Sequence, residues 1–413
     1  MIASLAKEVA SGDAAAADRF WTAMQERHAP IIEPIPNDPK HVLASFVWKG
    51  DQQTKDVVLM AKPDGIVPFR DPRSHLLHVP GTDLWYRTHK LPIDAEFSYL
   101  FSVNPPDSGA GASIASTLRQ DPFNPQQYRI LDGPMRSIAK MPGVSPNRWV
   151  ADRGAPAGSV DQRTVPSPKL TTDKSRTIWV YRTPGKLHHP NLLILLDGLT
   201  YAKSVPTFRI LDNLFAAHRI GPTIAVLVQD GSGDSWRTDM YFSDSFVDFL
   251  AEDLVPWVQK EYAFRADPRR TVIGGESIAG LTAAFAAFRR PDVFRHVIAQ
   301  SASFWLNNRD VDGGEPEWLT RQFLHHKRLD VSFWIDVGQM EFVANDADRI
   351  FPPFVPGETS LLAANRHLRD ILEVKGYPVH YVENYADHEP LRWSRTLPDA
   401  VIASIGAPSS YGP

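Results

Sequence analysis

Apolar positions along this chain follow two rhythms. Between 41 and 103 they come in short runs: HVLASFVWKG (41–50), KDVVLMA (55–61), SHLLHV (74–79), LWYRTHK (84–90) and EFSYLFSV (96–103). These runs are rich in β-branched and aromatic residues, and Gly, Pro, Asp and Asn separate them. Strands at this spacing, with no helical pattern between them, predict a small antiparallel sandwich. A helical pattern precedes them over residues 1 to about 30, anchored by Leu5, Val9, Phe20 and Trp21.

From 176 onward the rhythm changes. RTIWVYR (176–182), NLLILLDG (191–198), TIAVLVQD (223–230), TVIGG (271–275), HVIAQSA (296–302), VSFWIDVG (331–338) and PVHYVEN (378–384) read as strands. Several are apolar on both parities, as strands buried on both faces should be. SDSFVDFLAEDLVPWVQKEY (243–262), IAGLTAAFAAFRR (278–290) and SLLAANRHLRDILEVKGY (360–377) carry apolar residues at helical spacing. Ser243 suits an N-cap, and Gly376 lies near a helix end. Strands alternating with helices predict a mostly parallel, doubly wound sheet. Residues 104–170 are dense in proline and glycine and read as loop. The expected organisation is 1–150 for helix plus β-sandwich, 151–170 for a linker, and 171–413 for the α/β domain.

Composition narrows the field. A chain of 413 residues suits two domains. A net charge of -4 gives no reason to expect nucleic acid or an anionic membrane as a partner. With no cysteine, disulfides, thiolate metal sites and a cysteine nucleophile are excluded. The first twenty residues lack the apolar core of a signal peptide, and no run approaches a membrane span. A cytoplasmic protein is expected, with no membrane insertion.

The stretch VIGGESIAG (272–280) sets a serine between small residues where a buried run turns into a helical pattern. A nucleophile there would have its Oγ exposed at the carboxyl edge of the sheet. The following helix N-terminus would favour developing negative charge, and the Ile278 N–H could donate to it. The plainer reading is a turn serine with a capping role. Other groups in chain order favour the first. His388 follows the last strand. Glu341 lies in the loop after VSFWIDVG, where a carboxylate can reach an imidazole at the sheet edge. Asp336, inside that strand, and Asp346 are alternatives. A second oxyanion donor is expected from Gly198 or Leu199, just after LLILLD.

These blocks together resemble the enterochelin (ferric enterobactin) esterases, within the α/β-hydrolase esterases. The resemblance rests on FVWKG, GTDLWYRTHKLP and DPFNP in the first half. In the second half it rests on LLDG, RTDMYFSDSFVDFLAEDLVPWV, VIGGESIAGLTAAFAAFRRPDVF, QSASFW and HEPLRW. It implies an N-terminal all-β, immunoglobulin-like domain that shapes the substrate site, followed by an α/β-hydrolase domain. It places the nucleophile at Ser277, the histidine at His388 and the acid at Glu341. The family hydrolyses the trilactone ester bonds of catecholate siderophores to release iron inside the cell, so the implied partner is a ferric catecholate siderophore. It also implies that Arg237 and Trp393 lie near the substrate. Trp236 and Arg392 join them as candidates, because each pair sets a cation beside a flat ring. No metal or organic cofactor is expected. Departures lie at Glu276, Ile278 and Ala279 around the serine, at Asp387 and Glu389 around the histidine, and in GQME, which lacks the arginine common in the acid loop. An esterase for another aryl or sugar ester, and a non-catalytic binding protein, are the alternative functions.

Overall fold

The computed structural model describes residues 1–63, 68–69, 71–106, 112–170, 173–231, 234–308, 315–342 and 360–406. The chain divides into two compact units. The first is Met1–Pro146 with Tyr385–Asp387, and the second is Asn147–Asn384 with His388–Pro413.

In the first unit, two helices (Ile2–Ala10 and Ala16–Arg27) bury Leu5, Phe20 and Trp21 against a small apolar cluster. Among the described residues, nine strands follow: β1 (Ile31–Ile35), β2 (Asp38–Lys49), β3 (Val57–Met60), β4 (Leu77–His78), β5 (Leu84–Pro92), β6 (Glu96–Val103), β7 (Leu118–Arg119), β8 (Gln127–Arg129) and β9 (Met135–Lys140). They make one sheet in the order β1-β2-β5-β4 and another in the order β3-β6-β9-β8, all antiparallel, with β7 paired to β6. Phe46 of the first sheet meets Tyr99 of the second edge-on at 4.9 Å, and Trp48 meets Phe101 at 5.5 Å. Large aromatic rings on alternate positions thus fill the space between the sheets.

The second unit holds β10 (Ser159–Pro166), β11 (Ser175–Arg182), β12 (Asn191–Leu196), β13 (Thr223–Val228), β14 (Thr271–Glu276), β15 (His296–Gln300), β16 (Ser332–Gly338) and β17 (Val379–Asn384). Their order is β10-β11-β13-β12-β14-β15-β16-β17. β11 alone is reversed, antiparallel to its neighbours β10 and β13, and β12 to β17 run parallel. The doubly wound reading is borne out side chain by side chain. Leu192, Ile194 and Leu196 enter one apolar cluster, while Leu193 and Leu195 enter the other. Burying each such leucine contributes roughly 1.5–3 kcal/mol relative to leaving it exposed.

Two elements differ from the sequence expectation. Ser159–Pro166, inside the expected linker, is a strand paired along its length with β11. As an exposed edge strand it alternates polar residues and carries its proline at the end, so it lacks an apolar signature. The long helix expected over 243–262 is helical but not uniform. Ser243 caps it as expected, accepting from Phe246 N–H. A wider π-turn then spans Phe249–Leu254 before the helix resumes at Val255–Glu261. Pro256 has no N–H to donate, so the ladder must shift upstream of it.

Candidate active site

Four consecutive neighbours in the sheet, β14 to β17, end on one edge. Ser277, Ser301, Glu341 and His388 follow them in that order. Ser277 leads the helix Ser277–Arg289 with φ of 52°, a left-handed conformation that a residue with a Cβ seldom adopts. Such strain persists only when the surroundings hold it. Gly275 is part of that hold: a Cβ there would lie 2.6 Å from the carbonyl carbon of Ala279, so only glycine lets the turn close this tightly. Ser303 N–H donates to the Ser277 carbonyl at 2.9 Å, and the two serine Oγ atoms are 3.5 Å apart.

The acid loop is a short 3₁₀ turn, Gln339–Phe342, directly after β16. It bends Glu341 back over the strand end. One carboxylate oxygen accepts from Gly338 N–H and from the Ser301 hydroxyl, both at 2.7 Å. The other lies 2.8 Å from His388 Nδ1. Burial would raise the Glu341 pKa, but the His388 imidazole, Arg392 and Ser301 outweigh it and hold the carboxyl below its ordinary value. An ionised carboxylate only accepts, so Nδ1 carries the imidazole proton and Nε2 is the basic nitrogen.

Asp336 is engaged with other groups. It is fully buried, takes Arg392 Nη2 at 2.9 Å and Trp334 Nε1 at 3.0 Å, and burial raises its pKa despite Arg392. Asp346 lies outside the described residues.

Arg392 and Trp393 do not occupy the place expected for substrate groups. The Arg392 side chain is 1% exposed and its charge is committed to Asp336. Trp393 is 4% exposed, donates Nε1 to Ser301 Oγ at 3.1 Å and packs edge-on against His388 at 5.2 Å. Trp393 thus packs against the imidazole, while Arg392 acts through its charge on the Glu341 carboxyl. Helix Asp234–Asp239 carries Trp236 and Arg237, whose side chains lie outside the described residues.

Ser301 and Gln300 are positions beside the candidate site that motif reading missed. Gln300 Nε2 donates to the Trp393 carbonyl at 3.1 Å and to Thr396 Oγ1 at 2.6 Å, while its Oε1 accepts from Tyr201 at 2.7 Å. The signal available was positional: the serine in QSA ends β15 as Ser277 ends β14.

On the side toward β12, the chain leaves Leu196 through Asp197, in a left-handed conformation, into the helix Gly198–Lys203. Ile278, Gly198 and Leu199 each lie in the first two positions of a helix that starts at a strand end, where N–H groups have no intrahelical acceptor. A Cβ on Gly198 would come within 2.7 Å of the Leu227 and Val228 backbone. Among the described residues, no helix is long and apolar enough to cross a membrane.

Comparison with known proteins bears on the family and the fold. Residues 171–404 match the family described as "Putative esterase", and residues 43–150 match "Enterochelin esterase, N-terminal". The chain is similar to the iron(III) enterobactin esterase of Dickeya dadantii, 25% identical over 94% of this chain and 93% of that one. It is also similar to the iron(III) salmochelin esterase of Escherichia coli O6:H1, at 26% over 82% and 86%. In fold it is similar to the ferric enterobactin esterase of Salmonella typhimurium, with a TM-score of 0.74 at 20% identity, covering 91% of this chain and 96% of that one. The Shigella flexneri enterobactin esterase, solved in the presence of enterobactin, gives 0.72 at 21%, covering 92% and 96%. The first of the two family matches alone spans more than half of the residues, and the chain belongs to the enterochelin esterase family of carboxylic-ester hydrolases.

Proposed function

We propose that this protein is a serine esterase that hydrolyses the trilactone ester bonds of a ferric catecholate siderophore, with Ser277, His388 and Glu341 as its catalytic triad. The observation that carries the reading is the buried Glu341 carboxylate on His388 Nδ1, one sheet edge with a serine held at positive φ. Ser277 Oγ attacks the ester carbonyl while His388 Nε2 takes its proton, and Glu341 stabilises the imidazolium. The N–H groups of Ile278 and of Gly198 or Leu199 receive the oxyanion. His388 then protonates the leaving alcohol, and water repeats the sequence on the acyl-enzyme. Iron enters only as part of the substrate. Names of relatives support the substrate class: they are iron(III) enterobactin and salmochelin esterases. Arg237 is the cation we assign to the anionic ligand. The two antiparallel sheets of the first unit, with aromatic rings meeting between them, support an immunoglobulin-like sandwich. A cytoplasmic location fits the absence of cysteine.

A second reading, an esterase for another aryl or sugar ester, draws on Arg392. That guanidinium is spent inside the protein and is not offered to a ligand. Mass spectrometry of products from a ferric trilactone, the iron-free trilactone and a simple aryl ester separates the two. Faster turnover of the trilactones, with linear and monomeric acyl-serine products, is expected. Turnover of the aryl ester alone would favour the second reading. Labelling of Ser277 by a fluorophosphonate is expected in either case and would reject a binding-only role.

A further inference from the structure

β12 and β14 run side by side, with Leu195 opposite Gly274. Two residues further on, Asp197 and Glu276 leave the sheet together. Glu276 is 6% exposed, and its carboxyl lies within hydrogen-bond reach of the Asp197 carboxyl. Two ionised carboxylates in a buried contact repel strongly, whereas one proton between them makes a strong charge-assisted bond. The positions matter. Glu276 directly precedes Ser277, and Asp197 directly precedes Gly198.

We propose that Glu276 and Asp197 share one proton, and that this bond clasps the loop bearing the Gly198 and Leu199 oxyanion donors to the turn bearing Ser277. Glu276 is then a positioning residue for the reaction proposed above, and the inference rests on that reading. The protonated Glu276 O–H donates to the Asp197 carboxylate. Loss of that proton to solvent leaves two anions across the gap between β12 and β14 and parts the two loops.

The surroundings favour the protonated form. Asp230, after β13, and Glu341, after β16, face Glu276 with negative charge, and the Tyr201 phenol faces it from the helix Gly198–Lys203. On β15 the register partner is the neutral Gln300. Among the described residues, the cations named here are engaged elsewhere: Arg176 acts on Asp230 and pairs with Asp239, Arg392 pairs with Asp336, and His388 sits on Glu341. Burial, then Asp197, raises the Glu276 pKa well above the ordinary glutamate value.

The test measures kcat and KM against pH for the full chain and for E276Q, D197N and E276A. Infrared difference spectra of wild type against E276Q are taken at neutral pH. A glutamine at 276 is a permanent donor. An asparagine at 197 can donate to an ionised Glu276 or accept from a protonated one. We expect wild-type kcat to fall about tenfold per pH unit on an alkaline limb that both E276Q and D197N remove. E276Q should keep the neutral-pH kcat within about threefold, while E276A loses at least tenfold in kcat with KM little changed. The difference spectrum should show a protonated carboxyl in wild type that E276Q lacks. The proposal is overturned if the alkaline limb survives in both conservative variants, if E276A matches E276Q, or if no protonated carboxyl is lost. Ser277→Ala is assayed in parallel. Full hydrolysis by that variant would sink the triad reading itself, whereas its inactivity beside a pH profile indifferent to residues 197 and 276 would sink the clasp alone.

Discussion

At the residue scale, the proposed acid has better defined surroundings than the sequence alone allowed. Glu341 uses both oxygens: one is pinned by Gly338 N–H and Ser301, and the other faces His388. Replacing it with glutamine keeps the volume but removes the charge that stabilises the imidazolium and presents an amide that can face Nδ1 with either end. We expect Glu341→Gln to lower kcat by about 10³–10⁴-fold with little change in KM, measured on a chromogenic aryl ester. Ser301→Ala leaves the Gly338 and His388 contacts in place, so its kcat should fall by only about tenfold; a loss as large as that of Glu341→Gln would mean that Ser301 does more than orient the acid. The proposed triad could be picked out in the sequence because Ser277 and Glu341 each follow a buried apolar run and His388 follows the last strand. Ser301 was not, since a serine after a strand reads as an ordinary turn. Arg392 beside Trp393 read as a cation and a ring awaiting a ligand. Its partner Asp336 lies 56 positions away, and only the packing of the helix Pro390–Ile405 on the sheet brings the two together.

At the scale of elements, β14, β15 and β16 carry the clearest sequence signal because they are buried on both faces, whereas the edge strand β17 is only half-buried. β10 escaped notice for the opposite reason: an edge strand in water needs no apolar pattern. The π-turn at Phe249–Leu254 escaped because periodicity reports a helix without its pitch. Support beneath the site is where element packing can be tested. Removing one member of a buried ion pair strands the other's charge, so Arg392→Ala should cost about 3–5 kcal/mol in chemical denaturation. A cost below about 1 kcal/mol would show that Asp336 is not relying on it. The strand-end loop before the helix Gly198–Lys203 offers a second test. Gly198→Ala places a methyl against the Leu227 and Val228 backbone, so the loop must move. We expect at least a hundredfold loss in kcat, as for removal of an oxyanion donor, with the far-ultraviolet circular dichroism retained.

At the scale of the whole molecule, two buried glutamates give opposite pH dependences. The Glu341 carboxyl, held below its ordinary value chiefly by His388 against the opposing effect of burial, contributes stability above that value and loses it as pH falls through the lowered one. Glu276, raised mainly by burial, keeps its proton when folded and releases it on unfolding, so rising pH above the ordinary glutamate range favours the unfolded chain. The thermal midpoint of wild type should therefore decline with pH across that window, and Glu276→Gln should flatten the decline; an unchanged slope would contradict the assignment. The most direct measurement of the chemistry is peptide mapping of protein quenched within the first turnovers of a ferric trilactone siderophore. An acyl adduct on the peptide containing Ser277, trapped early in wild type and absent from Ser277→Ala, is the expected result. Full trilactone hydrolysis by Ser277→Ala, with no adduct on that peptide in any variant, would contradict it.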